Sequence, residues 1–370
     1  MNLATFQAIC ASPGNVALDL ETTVSRLYDR EICTVQVKRA SDGAEAVLHC
    51  YGNAELTAAL MRTLRESPAT FIAHFAIFEA ETLAKFNGLP QRLECTFIAA
   101  RVLRGVIPGN GIDPQFSLAG LMMTELGVEV SKEVRQRDWR EPLDAEATEY
   151  CLDDVRHALD LWTLFEAEFE ADAGAWEGYR TVTDALPAIA DCNSNGLVFN
   201  KQAHSRLCVK HGEEADLLTF EMEMASSGAV TNPNSAKQVS QWCADEIAFE
   251  KTTPRRAALL FEQMTGVSWK TTSSGQMSLG KDYLATILGT IEEYWPEVGA
   301  YLRLRLQYQK HAKLLQAFGP TLTNKVDADG HLRGSLIPHG ARTSRQSCRD
   351  PNLQQMPSEE AFRAMFEAVE

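Results

Sequence analysis

The chain has 370 residues, 45% hydrophobic and 23% charged, which suits two to three globular domains with real cores. Its nine Cys include no C-x-x-C pair, which argues against a zinc site and a disulfide framework and leaves Cys151 and Cys208 as buried reduced thiols in a reducing cytoplasm. A net charge of −15 is not that of a general nucleic-acid binder, and no apolar run reaches the ~18 residues of a membrane span.

Taken in chain order, Val16-Ala17-Leu18 reads as a buried strand ending in the acidic Asp19-Leu20-Glu21. Ile32 to Lys38 and Ala46 to Tyr51 are β-rich, with the turn residues Ser41-Asp42-Gly43 between them. Ala54 to Glu66 has helical spacing and closes at Ser67-Pro68. Phe71-Ile72-Ala73 is a short apolar strand, Phe78 to Phe86 returns to helical spacing, and residues 115 to 170 are expected to be almost wholly helical. Strands followed by helices predict an α/β domain with a mixed central sheet. The character changes near Asn193-Ser194-Asn195-Gly196, and from Asn200 to Ala317 helical periods dominate. Ser235 is placed to cap a helix holding Gln238, Val239 and Trp242. Lys270 to Gly280 reads as a Ser/Thr/Gly-rich loop, Glu297 to Phe318 as a long helix, and His331 to Ser335 as the start of a β segment. Eight Lys or Arg lie between Tyr301 and Arg345, opposed only by Asp327 and Asp329, a local balance compatible with phosphate contacts.

Several acidic side chains stand where they can converge. Asp19 and Glu21, two apart at a strand end, share a face. A second apolar strand, around Ile72-Ala73, leads to Glu79, and Tyr150 and Asp154 share a helix face at i, i+4. Singly, each has a bland alternative: a solvated strand end, an acid favoured by a helix N-terminus, a core Tyr beside a surface Asp. As a set they match what two-metal phosphodiester hydrolysis needs, namely carboxylates gathered around two cations about 4 Å apart.

In order and spacing these residues resemble the DEDDy exonucleases, the group of RNase D and of proofreading domains. The first motif is Asp19-x-Glu21, the second ends in Phe78-Glu79, and the third is Tyr150-x-x-x-Asp154. Phe116-Ser117-Leu118, Arg137-Asp138-Trp139 and Pro142-Leu143 continue the likeness. The resemblance implies an RNase H-like (DnaQ-like) fold over residues 1–185. It implies two divalent ions, Mg²⁺ or Mn²⁺, held by Asp19, Glu21, Glu79 and Asp154, with Asp19 bridging. Tyr150 would orient the attacking water and Thr22 would contact the terminal nucleotide. Glu79 departs from the group's usual Asp, and Phe75 and Ala76 stand where the group often has Asn. His74 is read as a packing or hydrogen-bonding residue, and Asp153 and His157 as solvent-facing.

The second half resembles family A DNA polymerases. Gly196-Leu197-Val198-Phe199-Asn200, Asn232-Pro233-Asn234-Ser235-x-Lys237-Gln238, Lys270-Thr271-Thr272 through Ser278, and Arg305 to Leu315 resemble their thumb, taken as residues 186–325. Gly340-Ala341-Arg342-Thr343-Ser344-Arg345 and Asp350-Pro351-Asn352-Leu353-Gln354-Gln355-Met356-Pro357 resemble the first strands of the palm, taken as residues 326–370. By this likeness Lys313, Arg345, Asn352 and Gln354 would touch primer-template DNA, although Ser344 replaces the usual Gly before the Arg. No 5′-nuclease domain is read ahead of the exonuclease, as in compact phage polymerases, and the first polymerase Asp and the fingers are not in the chain. The expectation is a DNA 3′–5′ exonuclease, in the cytoplasm (the host's, if phage-encoded). It would take single-stranded 3′ ends at one site and primer-template duplex at the thumb. It would polymerise only if a second polypeptide supplied the remaining palm and fingers. The competing readings are an RNase D-like RNA-trimming enzyme and a non-catalytic DNA-holding clamp.

Overall fold

The computed structural model describes residues 2–24, 26–105, 114–130, 137–341 and 343–367. They form two compact units: one runs to Val198 and is rejoined by Lys325–Pro357, the other comprises Phe199–Asn324 and Ser358–Glu367.

The first unit begins with helix α1 (Leu3–Cys10), then β1 (Asn15–Thr22), β2 (Ile32–Arg39) and β3 (Glu45–His49). Helix α2 (Ala54–Glu66), β4 (Thr70–Ala73), α3 (Ile77–Lys85), β5 (Leu93–Cys95) and α4 (Thr96–Arg104) follow. The strands make one sheet in the order β3-β2-β1-β4-β5. β1, β2 and β3 run antiparallel in turn, whereas β1, β4 and β5 are parallel, so the sheet is mixed as expected. β1 is central and covered on both faces, and Val16, Ala17 and Leu18 are wholly buried. The β2–β3 turn uses Gly43 at φ +72°, and Arg39 pairs with Asp42 across it at 2.6 Å. Asn53 Oδ1 accepts from Leu56 N at 3.0 Å and starts α2 at the residue that its apolar period predicts.

Helices α5 (Leu118–Leu126), α6 (Ala145–Ala171), α7 (Ala173–Thr183) and α8 (Leu186–Asn195) complete the helical part. The near-continuous helix expected over 115–170 is interrupted. α5 stops at Gly127 (φ +67°), and α6 begins only where Asp144 Oδ1 accepts from Ala147 N at 2.8 Å. Residues 127–130 and 137–144 between them carry no helix. α6 turns a stripe of Cys151, Val155, Ala158, Trp162, Phe165 and Phe169 inward at helical spacing, and packs on β1 and β2. After α8, β6 (Leu197–Phe199) pairs antiparallel with β7 (His331–Leu332) through Leu197 and Val198. β8 (Ser335–Ile337) and β9 (Ser347–Arg349) form a two-stranded antiparallel ribbon.

The second unit is helical: α9 (Lys201–Ala225), α10 (Ala236–Ala248), α11 (Pro254–Thr265), α12 (Lys281–Tyr294), α13 (Pro296–Phe318) and α14 (Glu360–Arg363). Ser235 Oγ accepts from Gln238 N at 3.3 Å, the cap read from the sequence. The Lys270–Gly280 loop folds back on itself around Gly275 (φ +81°), with Ser278 N donating to Lys270 O at 2.8 Å. Trp242 against Tyr301 (centroids 4.5 Å) and Phe261 between Trp269 and Trp295 (5.2 and 5.4 Å) anchor a core separate from that of the sheet.

Candidate active site

Asp19 and Glu21 project from one face of β1. The antiparallel register sets Gln36 of β2 opposite Asp19, and Thr34 opposite Glu21. Gln36 Nε2 donates to Asp19 Oδ2 at 2.5 Å, and Thr34 Oγ1 donates to Gln36 Oε1 at 2.9 Å. Both β2 side chains are wholly buried. This short relay fixes the Gln36 amide and, through it, the orientation of the Asp19 carboxylate.

Helix α6 brings Asp154 over the same face. One oxygen each from Asp19, Glu21 and Asp154 lies within 4.8 Å of the others, and all three residues are half-buried. Tyr150, one turn earlier on α6, is half-buried, with its ring centroid 5.7 Å from that of Trp139. Glu79 is not in this cluster of three. It arrives in the first turn of α3, is 2% exposed, and its Oε2 has no hydrogen-bond partner among the described residues. Burial first, and then repulsion from Asp19, push its carboxyl well above the ordinary range, while Arg30 pulls the other way. An orphaned buried carboxylate oxygen beside three gathered carboxylates needs positive charge or protons to be stable. A donor set made wholly of carboxylate oxygens suits hard divalent cations such as Mg²⁺ or Mn²⁺. The residues present therefore fit the cofactor expected.

Thr22 Oγ1 donates to the carbonyl of Val24 at 3.2 Å, just beyond Glu21 on the same strand. His74 Nδ1 lies 3.0 Å from Thr96 Oγ1, the hydrogen-bonding role read for it. Asp153 pairs with Arg156 at 2.8 Å with its side chain 45% exposed, as read, whereas His157 is half-buried. Cys151 is buried as expected, whereas Cys208 is only half-buried.

The basic stretch is largely consumed by the protein itself. Arg303 pairs with Glu292, Lys310 with Glu359, Lys325 with Asp350 and Arg333 with Asp329, while Arg305 is buried and donates to Pro233 O. Arg342 lies outside the described residues. Among the described residues, Lys313 on α13 and Arg345 between β8 and β9 are exposed with no ion-pair partner. Asn352 Oδ1 accepts from Gln354 N at 3.2 Å, and the Gln354 side chain is exposed. Ser344 has φ +61°, the left-handed backbone that a Gly adopts without penalty.

Sequence reasoning missed Gln36 and Thr34. The available signal was two uncharged polar residues, two apart, in the otherwise apolar strand Ile32-Cys33-Thr34-Val35-Gln36-Val37. Their partner is set by a register that local pattern does not reveal.

Residues 2–170 match the family model described as 3′–5′ exonuclease, of the DNA polymerase A type. Among solved structures, the chain is similar to the POL domain of Pol1 from M. smegmatis in complex with DNA primer-template and dNTP. That match has a TM-score of 0.71 at 19% identity and covers 95% of this chain and 53% of that one, so this chain spans about half of that chain's length. The apo form of a nuclease also matches, at 24% identity over 51% of this chain and 88% of that one, with a TM-score of 0.45. No curated protein sequence matches the chain. Residues 2–170 thus match the 3′–5′ exonuclease model of the DNA polymerase A type, and the chain shares its fold with about half of the POL domain of Pol1.

Proposed function

We propose that the chain removes nucleotides from DNA 3′ ends, as the proofreading exonuclease of a family A polymerase. The observation that carries this reading is the convergence of Asp19, Glu21 and Asp154 within 4.8 Å, with the partnerless Glu79 oxygen beside them. Two divalent cations, Mg²⁺ or Mn²⁺, held by these four residues would supply an activated water and neutralise the leaving oxygen. The protein's own part is positional. Gln36 fixes Asp19, α6 delivers Asp154, and Tyr150 lies on the same helix face, where its phenol can hydrogen-bond the attacking water and set its direction. Thr22, at the end of the same strand, is assigned to the terminal nucleotide.

In this reading residues 1–185 form the exonuclease, 186–325 a helical thumb and 326–370 the start of a palm. Lys313 and Arg345, which among the described residues of the basic stretch have no acidic partner, would meet the phosphates of primer-template duplex, with Asn352 and Gln354 near its primer end. The relative from M. smegmatis carries primer-template and dNTP, which supports a duplex partner here. Synthesis would need the remaining palm and fingers, on a second polypeptide or on more of the same one. No helix of the described residues is long and apolar enough to cross a membrane, and a cytoplasmic place is part of the proposal.

The test is a 5′-labelled single-stranded DNA oligonucleotide incubated with Mg²⁺ or Mn²⁺, beside an RNA of the same sequence. Stepwise 3′ shortening of the DNA is expected, falling to the chelator background in Asp19→Ala. Preference for RNA would favour the trimming enzyme. A folded wild-type protein that shortens neither but binds primer-template would be the DNA-holding clamp.

A further inference from the structure

Helix α3 is held from behind by a buried polar chain that the carboxylate cluster does not include. Residues two apart on a helix point about 200° apart, so Glu79 and Glu81 lie on opposite faces of α3. Glu81 is 7% exposed. Its Oε1 accepts from Asn193 Nδ2 at 2.5 Å, and its Oε2 lies 3.7 Å from Arg30 Nη1. The Arg30 guanidinium, itself buried, donates to Thr82 Oγ1 at 2.7 Å and to Phe78 O at 3.4 Å, and sits 4.1 Å from the Phe78 ring centroid. It therefore grips the residues on both sides of Glu79.

Asn193, 3% exposed in the last turn of α8, makes three hydrogen bonds. Besides donating to Glu81, Nδ2 donates to Leu336 O at 3.0 Å, and Oδ1 accepts from Leu336 N at 2.9 Å. One amide thus clamps the backbone of β8 from both sides and pins the acid two residues beyond Glu79. A surface helix could be held by packing alone. Burying an arginine, a glutamate and an asparagine to hold α3 costs desolvation that apolar residues would avoid. What the polar chain adds is directional placement.

Resting on the exonuclease reading, we propose that Asn193 is a positioning residue for that chemistry: through Glu81 and the first turn of α3 it sets where the Glu79 carboxylate stands. Asn193 touches neither substrate nor cation. Its effect runs through a hydrogen-bonded chain that a change of donor to acceptor reverses.

Asn193→Asp turns the donor facing Glu81 into a second carboxylate. In the full chain it should lower kcat for 3′ shortening about tenfold and weaken Mn²⁺ binding by a similar factor, with KM for the oligonucleotide unchanged. Asn193→Ala should do the same and serves if the Asp variant fails to fold, a thermal melt reporting folding in each case. Adding Glu81→Gln to Asn193→Asp restores a donor–acceptor pair with the polarity exchanged, and should recover a large part of both losses. Wild-type kcat and Mn²⁺ affinity in folded Asn193→Asp or Asn193→Ala would overturn the proposal. So would a double variant as impaired as the sum of its single changes. If the wild type proves to have no nuclease activity, the exonuclease reading fails separately, and Mn²⁺ affinity measured calorimetrically across the same variants still decides whether Asn193 places Glu79.

Discussion

Glu79 is the residue whose environment states the site's requirement most sharply. Its pKa is raised in the folded state, so in the cation-free protein the folded form binds a proton that the unfolded form, titrating at about 4.3, has released. Stability from this group is complete below the unfolded pKa and is lost as pH rises through the folded one. In chelator, the wild-type melting temperature is expected to fall between pH 5 and pH 8. Glu79→Gln, which removes the charge and keeps the shape, should flatten that slope and melt higher than wild type at pH 8. Thermal scans across this range check it, and a wild-type curve as flat as the variant's would mean that the carboxyl ionises without penalty. Strand and helix periods put Asp19 with Glu21, and Tyr150 with Asp154, on shared faces, but the convergence of the two pairs was read from the resemblance to the DEDDy exonucleases. The support of Asp19 by Gln36, and of α3 by Arg30 and Asn193, was not legible. Those contacts join residues 17 to 143 positions apart, and nothing local announces them.

At the level of elements, one helix cap, Ser235, was read from the sequence, and others of the same kind stand in the fold. Asn53, Asp144, Asn200 and Ser235 each accept a hydrogen bond from a backbone amide in the first turn of the helix that follows. Ser235→Ala leaves the Gln238 amide without its acceptor and should destabilise the second unit by about 1 kcal/mol. Chemical denaturation of the variant measures this, and no change in midpoint would show that water replaces the hydroxyl there. Breaks were harder to read than starts. Apolar spacing across 115–170 ran on past Gly127, because hydrophobic residues on either side of a break can still face one core. Only the left-handed backbone at Gly127 reveals the stop. The basic stretch misled in another way: composition counts charges, whereas their pairing with Glu292, Glu359 and Asp350 is settled by the fold.

For the whole molecule, the site and the helical unit stand on different cores. The sheet and its flanking helices bury Val16, Leu18, Phe71 and Trp162 on one side of the division; the helical unit buries Trp242, Phe261 and Tyr301 on the other. A cation held by Asp19, Glu21 and Asp154 contributes only to the unit that builds their cluster. Calorimetry of the full chain is therefore expected to resolve two transitions, of which Mn²⁺ raises one. At a free concentration a hundred times its dissociation constant, the stabilisation should be about 2.7 kcal/mol. Asp19→Ala should abolish the shift while leaving the other transition in place, and Ser235→Ala should lower that other transition alone. The crossed pair of variants separates ligand linkage from simple loss of folding, since each transition then responds to the change made in its own unit. A single transition raised as a whole by Mn²⁺ would instead mean that the two units unfold cooperatively, and that occupancy of the carboxylate site stabilises the helical unit that is proposed to hold the duplex.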